Sequence, residues 1–378
     1  MSPGTASVGT VIIGGGLNGC AIAYYLAREG VTDVLVLEAD EHGAGATGGS
    51  MGNVRQQFGT PLEIECSRRG LAFWKDLESQ FGLPCPFHED GYLMVTANEA
   101  TAEILGQQAA LQRSLGLTDV HILDPADITE IVPFLETDGL IAGSWTPRDG
   151  HVMPMDGLTA LAAAARGLGA RIRQHAPVKR IERGPGGWQV HGPEEVTAQR
   201  VVVVAGAGSR PLLAPFGVDL DIYEATHRGV LTEPAYRDTR VPTVIDVDSG
   251  MCVEREGEAL MLAMLGRNPA PRDHEHLLEL FVAAAQVRAP ALLDLAVTHR
   301  LTAHPTLGGD GHPYVGPVED GLWALAFTGH GAMHGPPVAE ALARSIAGRP
   351  DPTLDLSEWD VRRTPGERTV LWRRHATS

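Results

Sequence analysis

The chain has 378 residues, which is enough for two domains around substantial apolar cores. Its 30 lysines and arginines against 47 acidic residues give a formal net charge of −17 at pH 7. A net charge of that sign opposes binding to nucleic acid or to an anionic membrane surface. No uninterrupted apolar stretch is long enough to cross a bilayer, so we expect a globular protein with neither kind of partner.

The cysteines indicate a reducing environment. Cys20, Cys66, Cys85 and Cys252 are scattered, and no Cys-x-x-Cys pair suggests a zinc site or a disulfide framework. Residues 11–26 are apolar, but they lack a basic flank and contain spaced glycines, so they do not resemble a signal peptide. A cytoplasmic location fits these features.

The N-terminal segment has the pattern of a strand, a glycine-rich turn, a helix and a second strand. Residues 11–13 are β-branched, as expected of a buried parallel strand, and residues 34–37 form a second apolar run. The helix between them carries small residues on one side and is predicted to end at Gly30. The cofactor-binding residues predicted in this unit are Gly14, Gly16, Leu17, Asn18, Gly19, Glu38 and Ala39.

These residue types suit a dinucleotide. Gly14 permits a tight turn, Gly16 lets the backbone approach a pyrophosphate, and Gly19 lets the helix pack closely on the strand. The N-terminus of the helix offers free N–H groups and a partial positive charge to the phosphates. Glu38 can accept hydrogen bonds from ribose hydroxyls and would repel a 2′-phosphate, so NADP is disfavoured. This unit alone does not separate FAD from NAD.

The segment after Glu38 favours FAD. Five glycines lie between residues 43 and 52, a density that brings backbone close to a ligand, whereas NAD dehydrogenases usually continue here into another strand and helix. The loop resembles that of the family of D-amino acid, glycine and sarcosine oxidases and their dehydrogenase relatives. In that family it runs past the diphosphate and along the flavin. The matching residues are Thr47, Gly48, Ser50, Gly52, Asn53 and Arg55, with Met51 among them.

Three later segments match the same family in the same order. Val178 lies in a segment similar to the strand whose valine backbone holds the adenine. Ala205 and Gly206 follow a valine run similar to the second glycine-bearing strand near the diphosphate. Residues 310–316 and 328–335 are similar to the C-terminal flavin-contact region. The resemblance assigns flavin contacts there to Gly329, His330, Gly331, Ala332 and Met333.

The resemblance implies an α/β fold. It combines a Rossmann-type FAD-binding domain, a parallel sheet with helices, with a substrate domain built on a mixed or antiparallel sheet. The FAD-binding domain would be discontinuous and comprise residues 1–88, 148–225 and 305–360. The substrate domain would comprise residues 89–147 and 226–304, leaving residues 361–378 as a basic tail that we expect to be solvated, with a docking segment as the alternative.

Residues 336–347 are predicted to form a helix that ends at Gly348. The resemblance places its N-terminus at the flavin pyrimidine ring, where N–H groups and the helix dipole would stabilise reduced flavin by roughly 0.3–2 kcal/mol. His330 and His334 beside it could do acid–base work. Alternatively, His330 serves loop geometry and His334 caps or packs. No third ligand lies at a suitable spacing, so we predict no metal site.

The chain departs from the family in ways that bear on flavin attachment. Some relatives attach the flavin through a cysteine just before the segment that matches residues 310–316, and residues 300–309 contain none. Others use a histidine in the loop after the first acid, where this chain has Gly49, Ser50 and Met51. We therefore expect FAD to be bound non-covalently.

The position that binds the substrate carboxylate also departs from the family. Glycine and D-amino acid oxidases have an arginine-proline pair there, and the matching position in this chain is His304-Pro305. A neutral histidine cannot form a bidentate fork with a carboxylate. Either another arginine serves, with Arg55 and Arg267 as candidates, or the substrate lacks that carboxylate.

Two further positions concern the electron acceptor. Sarcosine oxidases have lysines that help to activate oxygen, and the matching positions here are Met261 and Met333. Without those cations superoxide is stabilised less well, so we expect a slow reaction with oxygen or the use of another acceptor.

The predicted reaction is the oxidation of a C–N bond of an amine or amino acid. A hydride passes to flavin N5 and leaves an imine, and oxygen or another acceptor then reoxidises the flavin. Three alternatives stay open: oxidation of a 2-hydroxy acid, a flavin subunit of a multi-protein dehydrogenase, and a non-enzymatic flavin-binding partner. The candidate catalytic residues are Arg55, His330 and Met333, and the candidate substrate-binding residues are Arg55, Met261, Arg267 and His334.

Overall fold

The computed structural model describes residues 6–266 and 270–366, which form twenty β-strands and eight α-helices. The first ten strands are β1 (Ala6–Ile13), β2 (Val34–Leu37), β3 (Asn53–Val54), β4 (Tyr92–Thr96), β5 (His121–Leu123), β6 (Ala142–Thr146), β7 (Gly150–His151), β8 (Arg171–Arg173), β9 (Arg180–Gly184) and β10 (Gly187–His191). The others are β11 (Glu195–Val203), β12 (Ile222–Glu224), β13 (His227–Thr232), β14 (Thr243–Asp246), β15 (Met251–Glu256), β16 (Ala259–Met264), β17 (Val297–Ala303), β18 (Thr306–Gly308), β19 (Tyr314–Glu319) and β20 (Leu322–Ala326).

The α-helices are distributed along the whole chain, and several have the end signals expected from sequence. They are α1 (Leu17–Arg28), α2 (Pro61–Phe81), α3 (Glu99–Ser114), α4 (Pro125–Ile131), α5 (Pro154–Gly167), α6 (Ser209–Leu213), α7 (His274–Arg288) and α8 (Gly335–Ile346). In α2 the Thr60 hydroxyl accepts the Glu63 N–H, Pro61 fills the first position, and Gly82 ends the helix in the left-handed conformation.

The first large sheet has the order β19-β20-β11-β1-β2-β8, with β10 on β11 and β9 on β10. β1, β2, β8, β11 and β20 run parallel, as the resemblance implies for a Rossmann-type unit. One face packs on α1, α5 and α8, and a second apolar cluster covers the opposite face. β1 and β2 are buried because their apolar residues face these layers on both sides.

The second large sheet has the order β17-β13-β16-β15-β14-β4-β6-β5. Its pairs are antiparallel except β14 and β4, which run parallel with Thr243 opposite Tyr92. β4, β13 and β14 are therefore part of a mixed sheet rather than a purely antiparallel one. One face of this sheet packs on α7, and residues of the other face share a cavity with loops that follow strands of the first sheet.

The strands of the two sheets come from different parts of the chain. Those of the first sheet lie within residues 1–88, 148–225 and 305–360, and those of the second within residues 89–147 and 226–304. We propose that the domain boundaries lie at these crossovers.

The beginning of the basic tail packs on the protein. The Arg363 guanidinium donates to both carboxylate oxygens of Asp310, and the Arg362 guanidinium donates to the Val318 carbonyl at 2.9 Å. The expectation of a solvated tail was therefore wrong for Arg363, whose side chain is 11% exposed against Asp310, whereas Arg362 is exposed. Arg368, Arg373 and Arg374 lie outside the described residues.

Candidate active site

The turn after β1 is shaped for close approach of backbone. Gly14 has a φ of +111°, which L-residues rarely adopt, and a Cβ there would lie 2.3 Å from the Val204 carbonyl oxygen. A Cβ at Gly19 would lie 1.9 Å from the Gly14 carbonyl oxygen, so α1 packs on the turn only because position 19 has no side chain. The residue before α1 is Gly16, which has no side chain to cap the helix, and the Thr47 hydroxyl of a later loop accepts the Leu17 N–H instead.

The Glu38 carboxylate, directly after β2, is fixed by two backbone N–H groups. Its Oε2 accepts from Gly15 at 2.7 Å and its Oε1 accepts from Asp40 at 3.0 Å. These bonds hold a hydrogen-bond acceptor at the carboxyl edge of the parallel sheet. That is the position where Rossmann-type folds bind the ribose of a dinucleotide.

The glycine-rich loop after Glu38 joins the nucleotide end to the second sheet. The Thr47 hydroxyl accepts the Leu17 N–H at 3.1 Å at the start of α1. At Gly49 the loop touches β17, because a Cβ there would lie 2.7 Å from the Cβ of Ala303. The loop therefore runs between the two sheets, as the resemblance implies for a segment along a flavin.

The loop of residues 329–333 before α8 is held in place by α2. The Trp74 indole N–H donates to the Ala332 carbonyl at 2.8 Å, and a Cβ at Gly70 would lie 1.8 Å from the Met333 carbonyl oxygen. The start of α1 also meets this region, since a Cβ at Gly335 would lie 1.9 Å from Asn18 Oδ1. Helix packing therefore fixes this loop beside the N-terminal turn.

One cavity of about 950 Å³ connects these segments, near the upper end of the usual range of about 300–1,000 Å³ for small-molecule sites. It is lined by all the residues predicted to bind the cofactor. They are Gly14, Gly16, Leu17, Asn18, Gly19, Glu38, Ala39, Thr47, Gly48, Ser50, Met51, Gly52, Asn53, Val178, Ala205, Gly206, Gly329, His330, Gly331, Ala332 and Met333.

The second sheet closes the cavity with mainly apolar side chains. Met261 from β16 and Leu301 from β17 line this part. Tyr92 from β4, His227 from β13 and Glu256 from β15 line it too, and sequence reasoning missed all three. Burial lowers the pKa of His227, so its imidazole is neutral at neutral pH, and burial raises the pKa of Glu256 against the effect of His88. The sequence signal for these residues is the alternation along a strand, in which successive side chains point to opposite faces of the sheet.

Arg55 lines the cavity with its guanidinium buried. Nη1 donates to the Gln57 carbonyl, and the guanidinium carbon lies 4.0 Å from the Phe58 ring centroid and 5.8 Å from that of Tyr92. Burial lowers the pKa of Arg55, while Tyr92 and nearby carboxyl groups act in the opposite direction. A carbonyl and two aromatic rings therefore orient this cation at the cavity wall. Arg267, the other candidate for a carboxylate contact, lies outside the described residues.

The two histidines of the C-terminal loop have different surroundings. His330 lines the cavity, with its ring edge-on to Phe58. His334 does not line the cavity: it is 1% exposed and packs between Phe58 and Trp359. Burial, with the charge of Arg55, lowers the pKa of His334 to about 3. The chain just before α8 thus directs His334 into the core instead of toward a substrate.

Met333 combines two environments. It lines the cavity, and its side chain also packs in a small apolar cluster with Phe58 and Ile64. Met261, the other position that the resemblance to sarcosine oxidases matches to a lysine, lines the cavity directly from the second sheet.

The donor set fits FAD. The turn at Gly14 excludes side chains, the Glu38 carboxylate is oriented for a ribose, and the loop of residues 329–333 presents backbone to the same cavity. Across the described part of the chain no cysteine lines this cavity, and burial raises the pKa of Cys20 to about 12. This thiol is therefore protonated and unreactive at neutral pH.

Fold and site together define a Rossmann-type flavoprotein. The family model described as FAD dependent oxidoreductase matches residues 10–345, and the chain belongs to this family, known as DAO. It is an FAD-dependent oxidoreductase, and its cofactor is FAD. Within residues 6–266 and 270–366, no helix has both the length and the apolar character that crossing a membrane requires.

Known proteins with similar sequences act on amines. The chain is 28% identical to mitochondrial dimethylglycine dehydrogenase of Rattus norvegicus, over 94% of the chain and 44% of that enzyme. It is also 28% identical to 4-methylaminobutanoate oxidase (formaldehyde-forming) of Paenarthrobacter nicotinovorans, over 95% of the chain and 46% of that enzyme. The chain thus spans less than half the length of these curated relatives.

One solved structure has a fold similar to that of this chain. L-proline dehydrogenase from P. horikoshii superposes with a TM-score of 0.86 at 25% identity, covering 95% of this chain and 98% of that one.

Proposed function

We propose that this protein oxidises the C–N bond of an amine or amino acid. The observation that carries the proposal is the cavity shared by two walls: one made of the turn at Gly14 and the loop of residues 329–333, the other of Met261 and its neighbours on the second sheet. The first wall suits a dinucleotide, and the second suits the apolar part of a small substrate. The names of three relatives, a dimethylglycine dehydrogenase, a 4-methylaminobutanoate oxidase and an L-proline dehydrogenase, support this reaction class.

When bound, FAD would supply the redox chemistry as the acceptor of a hydride, that is two electrons and one proton, from the carbon next to nitrogen. The chain's own part is to hold the substrate against one wall, exclude water and provide charge. Apolar side chains such as Met261 and Leu301 exclude water, and the oriented guanidinium of Arg55 provides a fixed positive charge. A non-covalent FAD is part of the proposal, since residues 49–51 contain no histidine and no cysteine lines the cavity in the described part of the chain.

The substrate carboxylate, if there is one, is proposed to meet Arg55 rather than position 304. His304 lines the cavity, but its side chain is 54% exposed and its Nδ1 lies 3.9 Å from a carboxylate oxygen of Glu224. A neighbouring acid disfavours a bound carboxylate there. An amine without a carboxylate remains the alternative substrate.

The test is anaerobic reduction of the purified yellow protein by a panel. The panel contains dimethylglycine, sarcosine, glycine, proline, a simple secondary amine and a 2-hydroxy acid. We expect flavin bleaching by one or more of the nitrogen compounds, with a rate that rises with pH as the substrate ammonium loses its proton. Bleaching by the hydroxy acid alone, or a rate independent of pH, would contradict C–N oxidation.

Two variants show whether bleaching uses this cavity. Met261→Trp fills the wall on the second sheet and should slow substrate-driven bleaching by tenfold or more, with the flavin retained. Leu262→Met changes the next residue of β16, which packs on the opposite face of the sheet, and should leave the rate unchanged. Equal rates in both variants would place the reaction elsewhere.

A second candidate is a flavin subunit that passes electrons to a partner protein. The methionines at positions 261 and 333 favour it, because a cavity without those cations stabilises superoxide poorly. Fast reduction of a dye with slow consumption of oxygen would support this candidate.

A cytoplasmic location is proposed as well, since all four cysteines are buried and unpaired.

A further inference from the structure

Three side chains that can bind a metal meet where the chain crosses between the two sheets. His88 and His151 face each other in an antiparallel bridge: the His88 N–H donates to the His151 carbonyl at 2.9 Å, and the His151 N–H donates to the His88 carbonyl at 3.0 Å. Asp90 follows two residues after His88, just before β4. Backbone hydrogen bonds therefore hold the three Cα positions together in the absence of any ion.

The side chains of this cluster also converge. Their ligand atoms all lie within 4.8 Å of one another, and His151 Nδ1 lies 3.5 Å from Asp90 Oδ2. Two ligands of a tetrahedral ion, each about 2.0–2.2 Å from it, are separated by about 3.4 Å. The His151–Asp90 pair already has that spacing, whereas the His88 ring is stacked on the His151 ring at 4.7 Å and 13° and must turn out of the stack to direct a nitrogen at the same ion.

We propose that His88, Asp90 and His151 bind a divalent transition-metal ion, with Zn²⁺ as the representative. Two imidazole nitrogens and one carboxylate oxygen suit Zn²⁺ and its neighbours, whereas Mg²⁺ and Ca²⁺ prefer oxygen ligands. His88 is exposed, so an ion can enter from solvent, and water can fill the remaining coordination position.

A bound ion would link the chain segment that leads into the second sheet to the segment that leads back from it. His88 lies where the chain passes from the first sheet to β4 of the second, and His151 lies where the chain returns toward α5. In the pairing of β3 with β7, His151 also lies opposite Asn53, which lines the cavity described above. An ion that binds the folded state alone stabilises it in proportion to the logarithm of the ion concentration.

Some of the nearby charges oppose a bound cation and others favour it. Arg255 contributes a positive charge that acts on His151 and opposes a cation. Its guanidinium, however, donates to the Ala235 carbonyl at 2.7 Å and the Tyr236 carbonyl at 2.6 Å, which orient it toward that loop. Glu256 adds a carboxyl group near His88.

The test measures Zn²⁺ binding to the FAD-loaded, tag-free protein by titration calorimetry and by metal analysis after dialysis. We expect about one Zn²⁺ per chain. Because losing even an outer-shell partner costs about tenfold in affinity, His88→Ala and Asp90→Asn should each weaken binding by more than that. His121→Ala, which removes another exposed histidine on β5, should bind as the wild type does.

Two further measurements separate loss of the site from loss of the fold. Zn²⁺ should raise the melting temperature of the wild type and of His121→Ala, and leave that of His88→Ala unchanged. Cu²⁺ bound to the wild type should show nitrogen hyperfine splitting from two imidazoles in its EPR spectrum, and from one in folded His88→Ala. Equal Zn²⁺ affinity in the wild type and His88→Ala, or no binding to the folded wild type, would overturn the proposal.

Discussion

Asn53 and Glu254 form a buried hydrogen bond that joins the flavin-side loop to the second sheet. The Asn53 amide nitrogen donates to Glu254 Oε2 at 2.5 Å, and its amide oxygen accepts from the Thr243 hydroxyl at 2.7 Å. Burial raises the pKa of Glu254 well above its ordinary value, and the bond from Asn53 opposes that shift. Residues of the second sheet therefore bond both the amide nitrogen and the amide oxygen of Asn53. Asn53 thus contributes to the cavity through its position in the loop and not through these side-chain groups.

Replacing Asn53 should destabilise the protein. Asn53→Leu keeps the size of the side chain but leaves the Glu254 carboxyl and the Thr243 hydroxyl unpaired in the interior. Each unpaired buried group costs about 1–3 kcal/mol, so the free energy of unfolding should fall by about 2 kcal/mol or more. Urea unfolding measures this difference.

A double variant provides the control for Asn53→Leu. Adding Glu254→Met removes the stranded carboxyl, and the pair should recover part of the lost stability as a positive coupling free energy in the double-mutant cycle. Additive losses in the two single variants would show that the bond has no energetic role.

Asp149 should make the stability of the protein depend on pH. It is fully buried, and its Oδ2 accepts the Gln56 N–H at 2.9 Å. Burial raises its pKa from 3.8 to about 7, while the Gln56 N–H and the charge of Arg55 act against that shift. The folded carboxyl holds its proton to higher pH than the unfolded one. Its contribution to stability is therefore complete below about pH 4 and is lost as the pH rises through about 7.

Asp149→Asn tests this dependence because the amide does not titrate and still accepts the Gln56 N–H. Between about pH 4 and pH 7, its unfolding free energy should fall less than that of the wild type, by roughly 1 kcal/mol or more, since one pKa unit corresponds to about 1.4 kcal/mol. Asp138→Asn, at an exposed position, should follow the wild-type curve. Parallel curves for all three proteins would show that Asp149 is ionised in the folded state.

Gly14→Ala should abolish FAD binding without a large loss of fold. Its added Cβ would lie 2.3 Å from the Val204 carbonyl oxygen and would force a φ of +111° on an alanine, so the turn must move away from its position beneath the dinucleotide. The variant should be purified with little flavin absorbance and fail to regain it on adding FAD. Gly106→Ala, on α3 with open space around the new methyl group, should stay yellow. A yellow Gly14→Ala protein would show that the turn tolerates the change.

The parts of this structure that the sequence predicts well are those set by local residue patterns. β2 begins and ends as predicted at residues 34–37, because a short apolar run between polar residues defines a buried strand. The glycine spacing and Glu38 likewise predicted one wall of the cavity. Relationships across the chain could not be predicted: the parallel pairing of β4 with β14 and the meeting of His88 with His151 depend on how distant segments pack.

His334 illustrates the limit at the level of one side chain. Its place after a glycine loop and before a helix left both a substrate contact and a packing role open. Its direction depends on Phe58 and Trp359, which lie far from it in the sequence and receive its ring. The spacing of apolar residues defines the inward face of α8 only after the first turn of the helix. It therefore does not predict the direction of the His334 side chain.

Met261→Lys should raise the rate at which oxygen reoxidises the reduced protein. Met261 lines the cavity from β16, at the position that the resemblance matches to a lysine of sarcosine oxidases, and Met261→Lys would place a cation at this wall. A cation beside the site stabilises superoxide as it forms, so the reoxidation rate should rise by about tenfold or more. Reoxidation is measured by stopped flow after chemical reduction, which makes the result independent of the substrate. Met261→Gln, of similar length and without charge, should react at the wild-type rate.

The pH dependence of that acceleration separates charge from shape. Burial disfavours the charged form of the new lysine and lowers its pKa, so the acceleration should be present at low pH and disappear as the pH rises through the pKa of the lysine. Met261→Gln should show no such step. Equal reoxidation rates in the lysine and glutamine variants at every pH would show that position 261 does not control the reaction with oxygen, and the choice of electron acceptor would then depend on other groups in the cavity.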